Sequence, residues 1–569
     1  MLWQAINSPD KTIVEQLSLL LNVPQQIAFL LVQRGITSFD QAKKYFRPAW
    51  EDLHDPFTMK DMMSAVKRIA YSIESGESVM IFGDYDVDGT TSVALMTSYL
   101  KNHIEVVVPY IPDRYKEGYG VSKAGIQKAQ AEGITLIIAL DCGIKAHEQI
   151  EYANTLGIDF IICDHHLPNS LLPEAVAVLD PKRADCEYPY KELCGCGIGF
   201  KLIQALNQYF ELALTDLAPY LDLVVTAIAA DIVPITGENR LLSHLGIEQM
   251  RQSPRPGFQF FISSLRKPIR VSDLVFVIAP RINAAGRMNK GISAVELLLS
   301  KDQGEALPLA RSIEFFNTER RSADERITKE ALQQIELEEA QYKSSTVVYH
   351  PSWHKGVIGI VASRLIEHYY RPTVVLTKSE NILAGSVRSV KGFDVYQALE
   401  ACKEQMIQFG GHKYAAGLTM KEEQLETFKL AFEQAVENHI LESQRIPVLQ
   451  YDAELVLDKI TPKLYRLLSQ MAPFGPKNMK PVFVSHHCMD KGGSRLVGSD
   501  KNHLKLEIID STGTVMQAIG FGLGNYFTKI KQKQPFSILY TVDENEFNGI
   551  KSLQLLIKDL LFSPTLKNN

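Results

Sequence analysis

Cysteine is scarce in this chain, and long apolar runs are missing. Seven cysteines in 569 residues are too few, and odd in number, for a disulfide framework, which favours a reducing cytoplasm. The N-terminus shows no basic segment followed by an apolar core, so no signal peptide is expected. The longest apolar run, 221–235, contains two aspartates and is too short to cross a bilayer. No membrane association is therefore expected.

The chain also lacks a strong excess of either charge, low-complexity segments and internal repeats. A net charge of −6 argues against a surface that binds polyanions everywhere, although a local basic groove remains compatible with it. The length indicates three to five domains. A hydrophobic content of 46% is enough for several cores.

Acidic residues and histidines are concentrated where apolar runs end. Four such runs lead into the candidate metal ligands Asp84, Asp86, Asp88, Asp141, His165 and Asp231. Clustered carboxylates repel one another unless cations neutralise them. Five carboxylates and one imidazole could hold two ions, and oxygen-rich ligation suits Mn²⁺ or Mg²⁺ better than structural zinc. Two ions about 4 Å apart could support hydrolysis of a phosphodiester. The alternative, a set of helix caps and turn aspartates, explains one cluster better than it explains four.

Glycine-rich and arginine-containing stretches further along suggest phosphate contacts. A predicted loop at 410–417 contains Gly411 and His412, and glycines let backbone N–H groups approach a phosphate. Ser386 and Arg388 alternate on a predicted strand and could hold a terminal phosphate. A second predicted loop, at 280–287, supplies Arg281, Asn283 and Arg287 as candidates. Arg114 and Tyr119 combine a cation with an aromatic ring, which suits a phosphate and a stacked base.

Alternating strands and helices predict a parallel sheet in the first half of the chain, with the acidic residues beyond its strand ends. A charged helical segment is predicted to connect it to a second, smaller α/β unit, and short alternating strands near the C-terminus predict a small barrel. The predicted divisions are a helical extension at 1–60, the first α/β domain at 61–302, the connecting helix at 303–343, the second domain at 344–443 and the barrel at 444–569.

The four acidic motifs resemble, in order and spacing, those of the DHH phosphoesterase superfamily. The loop at 410–417 is similar to the GGH loop of the DHH-associated domain. Within the superfamily the resemblance is closest to the bacterial 5′→3′ exonucleases specific for single-stranded DNA, through the stretches 111–120, 280–288, 385–389 and 473–483. It implies a DHH catalytic domain, a DHH-associated domain and a C-terminal OB fold.

The same resemblance implies individual roles. Asp84 and Asp86 would hold one ion, Asp88, His165 and Asp231 the other, and Asp141 would bridge the two. His166 and His412 would contact the scissile phosphate, and with Asp141 they form the predicted catalytic set. A pocket formed by Ser386 and Arg388 with Arg281 or Arg287 would recognise the 5′-phosphate.

The predicted function is hydrolysis of single-stranded DNA to 5′-mononucleotides, in recombination and repair. Two alternatives stay open. One is a phosphodiesterase for short oligonucleotides or cyclic dinucleotides, which the long C-terminal segment argues against. The other is a non-catalytic DNA-binding scaffold, which the intact acidic set argues against. Single-strand-binding protein and a helicase are expected partners, and a monomer is the expected state.

Overall fold

The computed structural model describes residues 1–114, 116–288, 291–338 and 340–562. The N-terminal segment is a short strand followed by three helices: β1 (Leu2–Ala5), α1 (Lys11–Leu21), α2 (Gln25–Gln33) and α3 (Phe39–Phe46). Asp10 and Ser38 cap α1 and α3 by accepting hydrogen bonds from backbone N–H groups of the first turns. The helical extension predicted here also contains a strand that pairs with the other end of the chain.

The first α/β domain is built on a five-stranded, wholly parallel sheet with the strand order β3-β2-β4-β5-β6. Its strands are short and mainly apolar, as expected for a parallel sheet covered on both faces, although one begins at Asp159 and another ends at Tyr110. The elements are α4 (Met62–Ser75), β2 (Val79–Gly83), α5 (Val87–Leu100), β3 (Val107–Tyr110), α6 (Lys123–Ala131), β4 (Leu136–Leu140), α7 (His147–Thr155), β5 (Asp159–Cys163) and β6 (Ala177–Leu179).

A set of helices completes this domain and leads into the second. They are α8 (Gly195–Tyr209), α9 (Leu221–Ala230), α10 (Gly237–Gln252), α11 (Pro256–Ile262), α12 (Val271–Asp273), α13 (Ala279–Met288), α14 (Ile292–Leu299) and the connecting helix α15 (Gln303–Leu337). A π-helical turn, Leu274–Ile278, precedes α13. The prediction of a loop at 280–287 was wrong: all of this stretch lies within α13, whose Ile282 and Ala285 pack in the hydrophobic core, so tertiary packing decides its structure. The predicted connecting helix is present and is 35 residues long.

The second α/β domain contains a mixed sheet with the order β10-β11-β9-β8-β7. Its elements are β7 (Thr346–Tyr349), α16 (Ile358–His368), β8 (Thr373–Ser379), β9 (Ile382–Arg388), α17 (Val395–Glu400), β10 (Gln408–His412), β11 (Ala415–Met420) and α18 (Leu425–His439). The glycine-rich stretch at 410–417 is an antiparallel hairpin of β10 and β11, not the predicted loop. Its glycines lie within strands and obscure the strand pattern.

The C-terminal domain is a barrel. Neighbouring strands in its sheet follow the spatial order β14-β18-β19-β17-β16. A further pairing of β14 with β16 joins the two ends of this series and closes the barrel. The elements are β12 (Val448–Tyr451), β13 (Ala453–Glu454), α19 (Pro462–Gln470), β14 (Phe483–Asp490), β15 (Arg495–Val497), β16 (His503–Ile509), β17 (Val515–Gly520), α20 (Phe527–Lys531), β18 (Phe536–Phe547) and β19 (Ile550–Phe562).

The two ends of the chain share one core. Strand β1 pairs in parallel with β12, and the Trp3 indole donates a hydrogen bond to Asp559 at 2.9 Å. Buried residues of α1 and α2, including Leu17 and Leu31, pack in the same hydrophobic cluster as barrel residues such as Phe536 and Leu555. The N-terminal segment is therefore part of the C-terminal domain in packing terms, which the sequence did not predict.

Candidate active site

The carboxyl ends of three neighbouring parallel strands bring acidic residues to one edge of the sheet. Asp84 follows β2, Asp141 follows β4 and Asp164 follows β5. Because ligands and catalytic groups collect beyond this edge in parallel sheets, the placement agrees with the predicted site. Asp231 comes from elsewhere: the apolar run before it is the helix α9 rather than a strand, and Asp231 is the first residue after that helix.

Asp88 is held by the start of a second helix. It lies in the first turn of α5, and its carboxylate accepts hydrogen bonds from the backbone N–H groups of Gly195 at 2.7 Å and Cys196 at 2.8 Å. These N–H groups belong to the first turn of α8, where the helix dipole favours an anion. A β-carbon on Gly195 would lie 2.5 Å from the β-carbon of Asp141, so only glycine permits this approach.

His165 is the centre of a compact group of ligand atoms. Its Nε2 lies 3.1 Å from Asp141 Oδ1, 3.7 Å from Asp231 Oδ2 and 3.9 Å from Asp88 Oδ2. Among the described residues, two sets of side chains have ligand atoms close enough to share one ion: Asp88 with His165 and Asp231, and Asp141 with His165 and His166. The first set is the one predicted for the second ion. Asp84 and Asp86 join neither set.

The protonation equilibria of these groups are strongly perturbed. Burial, reinforced by the charge of Asp86, raises the pKa of Asp84 to about 7, and the same two causes raise the pKa of Asp231 to about 7. The pKa values of Asp88 and Asp141 are also raised, first by burial and then by neighbouring carboxylates. Burial lowers the pKa of His165 to about 3, which keeps its imidazole neutral, as a metal ligand must be.

Unpaired oxygens in this cluster fit a bound cation. Asp84 Oδ1 and Asp141 Oδ1 are both buried and have no hydrogen-bond partner among the described residues. An orphaned carboxylate oxygen is costly in a protein interior unless another group satisfies it. Asp141 also has φ of +60°, a strained value for a residue with a side chain. Oxygen-rich donors with one neutral imidazole are a set that Mn²⁺ or Mg²⁺ would accept.

His166 is oriented by Asp164. The His166 Nδ1 and Asp164 Oδ1 atoms are 2.7 Å apart, and Asp164 also accepts hydrogen bonds from the backbone N–H groups of His165, His166 and Ile144. The hydrogen bond to Asp164 raises the pKa of His166. The other ring nitrogen, Nε2, lies 3.3 Å from the Tyr119 hydroxyl. Asp164 belonged to the predicted motif, but its orienting role was missed.

Arg114 and Tyr119 lie beside the acidic cluster. The Arg114 guanidinium stacks on the ring of Tyr85 at 4.7 Å, and its charge acts to lower the pKa of Asp84 against the dominant effect of burial. The Tyr119 hydroxyl lies 3.4 Å from the Asp141 carbonyl oxygen. Tyr115, the other aromatic residue of this predicted stretch, lies outside the described residues.

Ser386 and Arg388 meet the first turn of α16. Arg388 Nη1 donates to Ser386 Oγ at 3.1 Å, and a β-carbon on Gly359 would lie within about 3.0 Å of both side chains. Burial lowers the pKa of Arg388, and among the described residues no carboxylate forms an ion pair with it. Arg287 reaches the same region from the first domain, since its Nη1 donates to the Gly356 carbonyl at 2.9 Å.

The remaining predicted residues are less closely connected to this site. Arg281 forms an ion pair with Glu314 on α15 and donates to the Val277 carbonyl, so its guanidinium is already engaged. Asn283 is half-buried on α13. His412 is exposed at the end of β10. Gly411 has φ of +146°, and a β-carbon there would lie 2.4 Å from the Ala415 carbonyl oxygen, so the hairpin requires glycine.

Comparisons with known proteins identify the family. Family models match residues 78–228 as the DHH family N-terminal domain, 341–438 as the DHHA1 domain and 451–559 as the RecJ OB domain. The single-stranded-DNA-specific exonuclease RecJ of Bacillus subtilis is 36% identical over 99% of this chain and 71% of its own length. That of Escherichia coli is 31% identical over 98% of this chain and 99% of its own length. The chain belongs to the RecJ family.

Comparison with solved structures gives the same family. The crystal structure of RecJ from Thermus thermophilus in complex with Mn²⁺ has a TM-score of 0.85 and 25% identity, and the match covers 99% of this chain and 80% of that one. The predicted fold class, with DHH, DHH-associated and OB domains, is confirmed, and so is the prediction of a metal-dependent single-stranded DNA exonuclease. The prediction of Mn²⁺ or Mg²⁺ as cofactors agrees with the acid-and-imidazole clusters.

Proposed function

We propose that this RecJ-family protein degrades single-stranded DNA from its 5′ end and releases 5′-mononucleotides, in DNA recombination and repair. The observation that supports this most directly is that each of the two α/β domains contributes one candidate phosphate-binding group. One is the acidic cluster around His165 in the first domain. The other is the group of Ser386 and Arg388 at the first turn of α16 in the second. A scissile phosphate at the first and a terminal phosphate at the second would define one cleavage position.

Two divalent cations would be held by the acidic residues. Asp84 and Asp86 are proposed for one ion, Asp88, His165 and Asp231 for the other, with Asp141 between them. When bound, the ions supply Lewis acidity at the scissile phosphate and neutralise the clustered carboxylates. The buried oxygens Asp84 Oδ1 and Asp141 Oδ1 support this assignment, since neither accepts a hydrogen bond from any described residue and Asp141 Oδ1 has only the His165 imidazole close by, at 3.1 Å.

His166 is proposed to donate a hydrogen bond to the scissile phosphate. Asp164 binds its Nδ1 and raises its pKa, which favours the imidazolium form and leaves Nε2 as a charged donor. His412 would approach the same phosphate from the second domain. Arg114 and Tyr119 are proposed to contact the neighbouring backbone phosphate and base, and Asn283 and Gly411 the strand near the domain boundary.

The 5′-phosphate is proposed to bind Ser386, Arg388 and Arg287. The helix N-terminus of α16 offers backbone N–H groups and a positive dipole end to an anion. Arg388 is half-buried and forms no ion pair with a carboxylate among the described residues, so a dianionic terminal phosphate would satisfy it. Arg281 is the weaker candidate because Glu314 already neutralises it.

Arg388→Ala tests this pocket. We expect cleavage of a 5′-phosphorylated strand to slow by about a hundredfold, because a charged contact to the positioned phosphate is lost. The ratio of rates between 5′-phosphorylated and 5′-hydroxyl strands should fall towards one. Arg326→Ala, which removes an exposed arginine from α15, is the matched control. A variant that keeps the full wild-type ratio would place the pocket elsewhere.

The activity itself is tested by a time course on labelled single- and double-stranded DNA with Mn²⁺, Mg²⁺ or a chelator. Rapid loss of 5′-terminal nucleotides from single strands only, abolished by the chelator, is the expected result. Hydrolysis of cyclic dinucleotides alone, or strand binding without hydrolysis in either metal, would support one of the two alternatives.

The proposed partner proteins and cellular location follow from the single-stranded DNA substrate. A helicase that opens duplex DNA and a single-strand-binding protein that covers the product are the proposed partners, because the enzyme needs an unpaired strand. We propose that it works as a monomer in the cytoplasm. In the described part of the chain, no helix has the length and apolar character needed to cross a bilayer.

A further inference from the structure

A small polar cavity lies where three segments of the second domain meet: the chain after α15, the end of α16 and the chain that leaves α18. Its volume is about 210 Å³. Three cationic side chains line it, and none of the described residues that line it is a carboxylate. None of the roles assigned above involves its polar lining, which includes Gln341, Lys343, Ser344, Tyr369, Arg371 and Arg445.

Arg371 is buried in this cavity with only 6% of its surface exposed, and its guanidinium is only partly satisfied. Its Nε donates to Thr346 Oγ1 at 2.7 Å, and its Nη1 donates to the carbonyl oxygens of Gln341 and Lys343. The third nitrogen, Nη2, is buried and has no hydrogen-bond partner among the described residues. A buried charged donor without an acceptor is costly, so this arrangement favours a ligand that supplies acceptor oxygens.

Arg445 brings a second guanidinium to the same cavity from the segment that leads to the barrel. Its Nη1 donates to Ser344 Oγ at 2.9 Å, whereas its Nε is buried and makes no hydrogen bond with a described residue. Glu442 Oε1 lies 3.4 Å from this Nε, but the Glu442 side chain is 92% exposed, so water screens its charge. The exposed Lys343 adds a third positive charge at the edge of the cavity.

The negative groups near the cavity are weaker than its three cations. Burial lowers the pKa of Arg371, and the charge of Glu433 opposes this effect. Both Glu433 oxygens already accept hydrogen bonds, from Ser344 and Ser345. Helix α16 ends at His368, close to the cavity, and a helix C-terminus carries only about half of one negative charge. The cavity therefore favours an anion.

The size and the donors of the cavity select a small anion with several acceptor oxygens. Its volume is below the range of about 300–1,000 Å³ that is usual for sites of drug-sized ligands, and it suits a phosphate or diphosphate group. Guanidinium groups bind phosphate oxygens through two parallel hydrogen bonds, and the Tyr369 ring, 5.0 Å from the Arg371 guanidinium, helps to hold that group in place. The Gln341 amide, whose Oε1 is also without a partner among the described residues, would present its NH₂ group after a half-turn.

We propose that this cavity binds a small phosphate anion between Arg371 and Arg445, either free or as the phosphate group of a mononucleotide. Arg371 immediately precedes the segment that enters β8, whereas Arg445 lies in the segment 440–447 that connects the second domain to β12. An anion shared by the two would fix this connecting segment and so restrain the second domain relative to the barrel. The site is separate from the pocket of Ser386 and Arg388, and it does not depend on the proposed function.

Isothermal titration calorimetry on the full-length, metal-free Arg388→Ala protein tests the site, because this background removes the metal centre and the proposed 5′-phosphate pocket as competing phosphate sites. The titrants are inorganic phosphate, diphosphate, deoxyadenosine monophosphate and deoxyadenosine. We expect phosphate or diphosphate to bind in a single equivalent and deoxyadenosine not to bind. Adding Arg445→Gln should lower the affinity by about tenfold or more, because a charged hydrogen bond is lost. Lys421→Gln, at an exposed lysine of the same domain, should leave the affinity unchanged.

Limited proteolysis gives an independent measurement in the same background. Phosphate should slow tryptic cleavage after Arg445, while cleavage at other sites serves as the internal control. Lys343→Gln changes an exposed side chain that the fold does not need, and it should weaken this protection. Deoxyadenosine monophosphate that binds as tightly as phosphate would identify a mononucleotide as the source of the anion, and binding of the inorganic anions alone would identify free phosphate. No binding of any titrant, or equal affinities with and without Arg445→Gln, would overturn the proposal and leave the cavity to water.

Discussion

Single residues explain why the acidic cluster depends on a cation. Asp84, Asp88, Asp141 and Asp231 all have raised pKa values, because they are buried near one another. Without a cation, some of these carboxylates must bind protons, because otherwise their negative charges repel one another. The sequence predicted the members of this cluster, since each follows an apolar run. It could not predict Gly195 and Cys196 as the donors to Asp88, because those residues are more than one hundred positions away in the chain.

Asp141→Asn should abolish hydrolysis and leave the fold intact. Asparagine keeps the size of the side chain and tolerates the positive φ of this position, but it lacks the charge that a position between two cations needs. We expect the rate to fall by several orders of magnitude, while single-strand affinity in a chelator stays near the wild-type value. Steady-state cleavage and anisotropy measure the two. A folded variant that retained about a tenth of the wild-type rate would exclude Asp141 from the metal centre.

At the scale of elements, the sequence predicted the strands of the first sheet better than it predicted the two segments that carry candidate phosphate contacts, 280–287 and 410–417. Short uninterrupted apolar runs such as β2 and β4 predict buried strands of a parallel sheet. The stretches 280–287 and 410–417 mix glycine, arginine and alanine, which is typical of loops. The first lies wholly within helix α13 and the second forms the β10–β11 hairpin, because packing against neighbouring elements overrides weak local preference.

Gly195→Ala should misplace the strand-end residue Asp141 through the start of α8. The added methyl would lie 2.5 Å from Asp141 Cβ and 2.8 Å from its Cα, so the helix or the strand end must move. A shift of this size should reduce the rate by about a hundredfold. Gly197→Ala lies two residues further along the same helix, where the nearest atom is 3.4 Å away, and should cost little. Equal rates for the two variants would contradict the close approach of α8 to Asp141.

At the scale of the whole molecule, Arg240 joins three parts of the chain. This buried side chain of α10 donates to the carbonyl oxygens of Tyr45 at the end of α3 and of Met471, Ala472 and Pro473 after α19. Its guanidinium also stacks on the Tyr45 ring at 3.7 Å. The first domain therefore contacts the C-terminal domain directly as well as through the second domain. No local pattern could predict this contact, since its partners are about 200 residues away on either side.

Arg240→Ala should loosen the C-terminal domain from the catalytic domain. Five hydrogen bonds from one charged group are lost and buried carbonyls are left unpaired, so we expect a destabilisation of about 3 kcal/mol or more. Thermal unfolding should separate into two transitions, and cleavage of long strands should become less processive in the presence of a DNA trap. Arg466→Ala, at an exposed arginine on α19, is the control. One cooperative unfolding transition at the wild-type temperature would show that other contacts are enough to hold the C-terminal domain against the catalytic domain.

The shared core of the two chain ends determines which truncations can fold. Cutting at residue 444 removes the barrel but leaves α1 and α2 with their buried apolar face uncovered, because that face packs against the barrel. We expect this form to aggregate. Removing residues 1–46 as well should give a monodisperse core that cleaves short oligonucleotides and binds strands of about 30 nucleotides poorly. Size-exclusion chromatography and strand binding compare the two forms. A well-folded, soluble protein after the C-terminal cut alone would mean that the N-terminal helices find another surface to cover them.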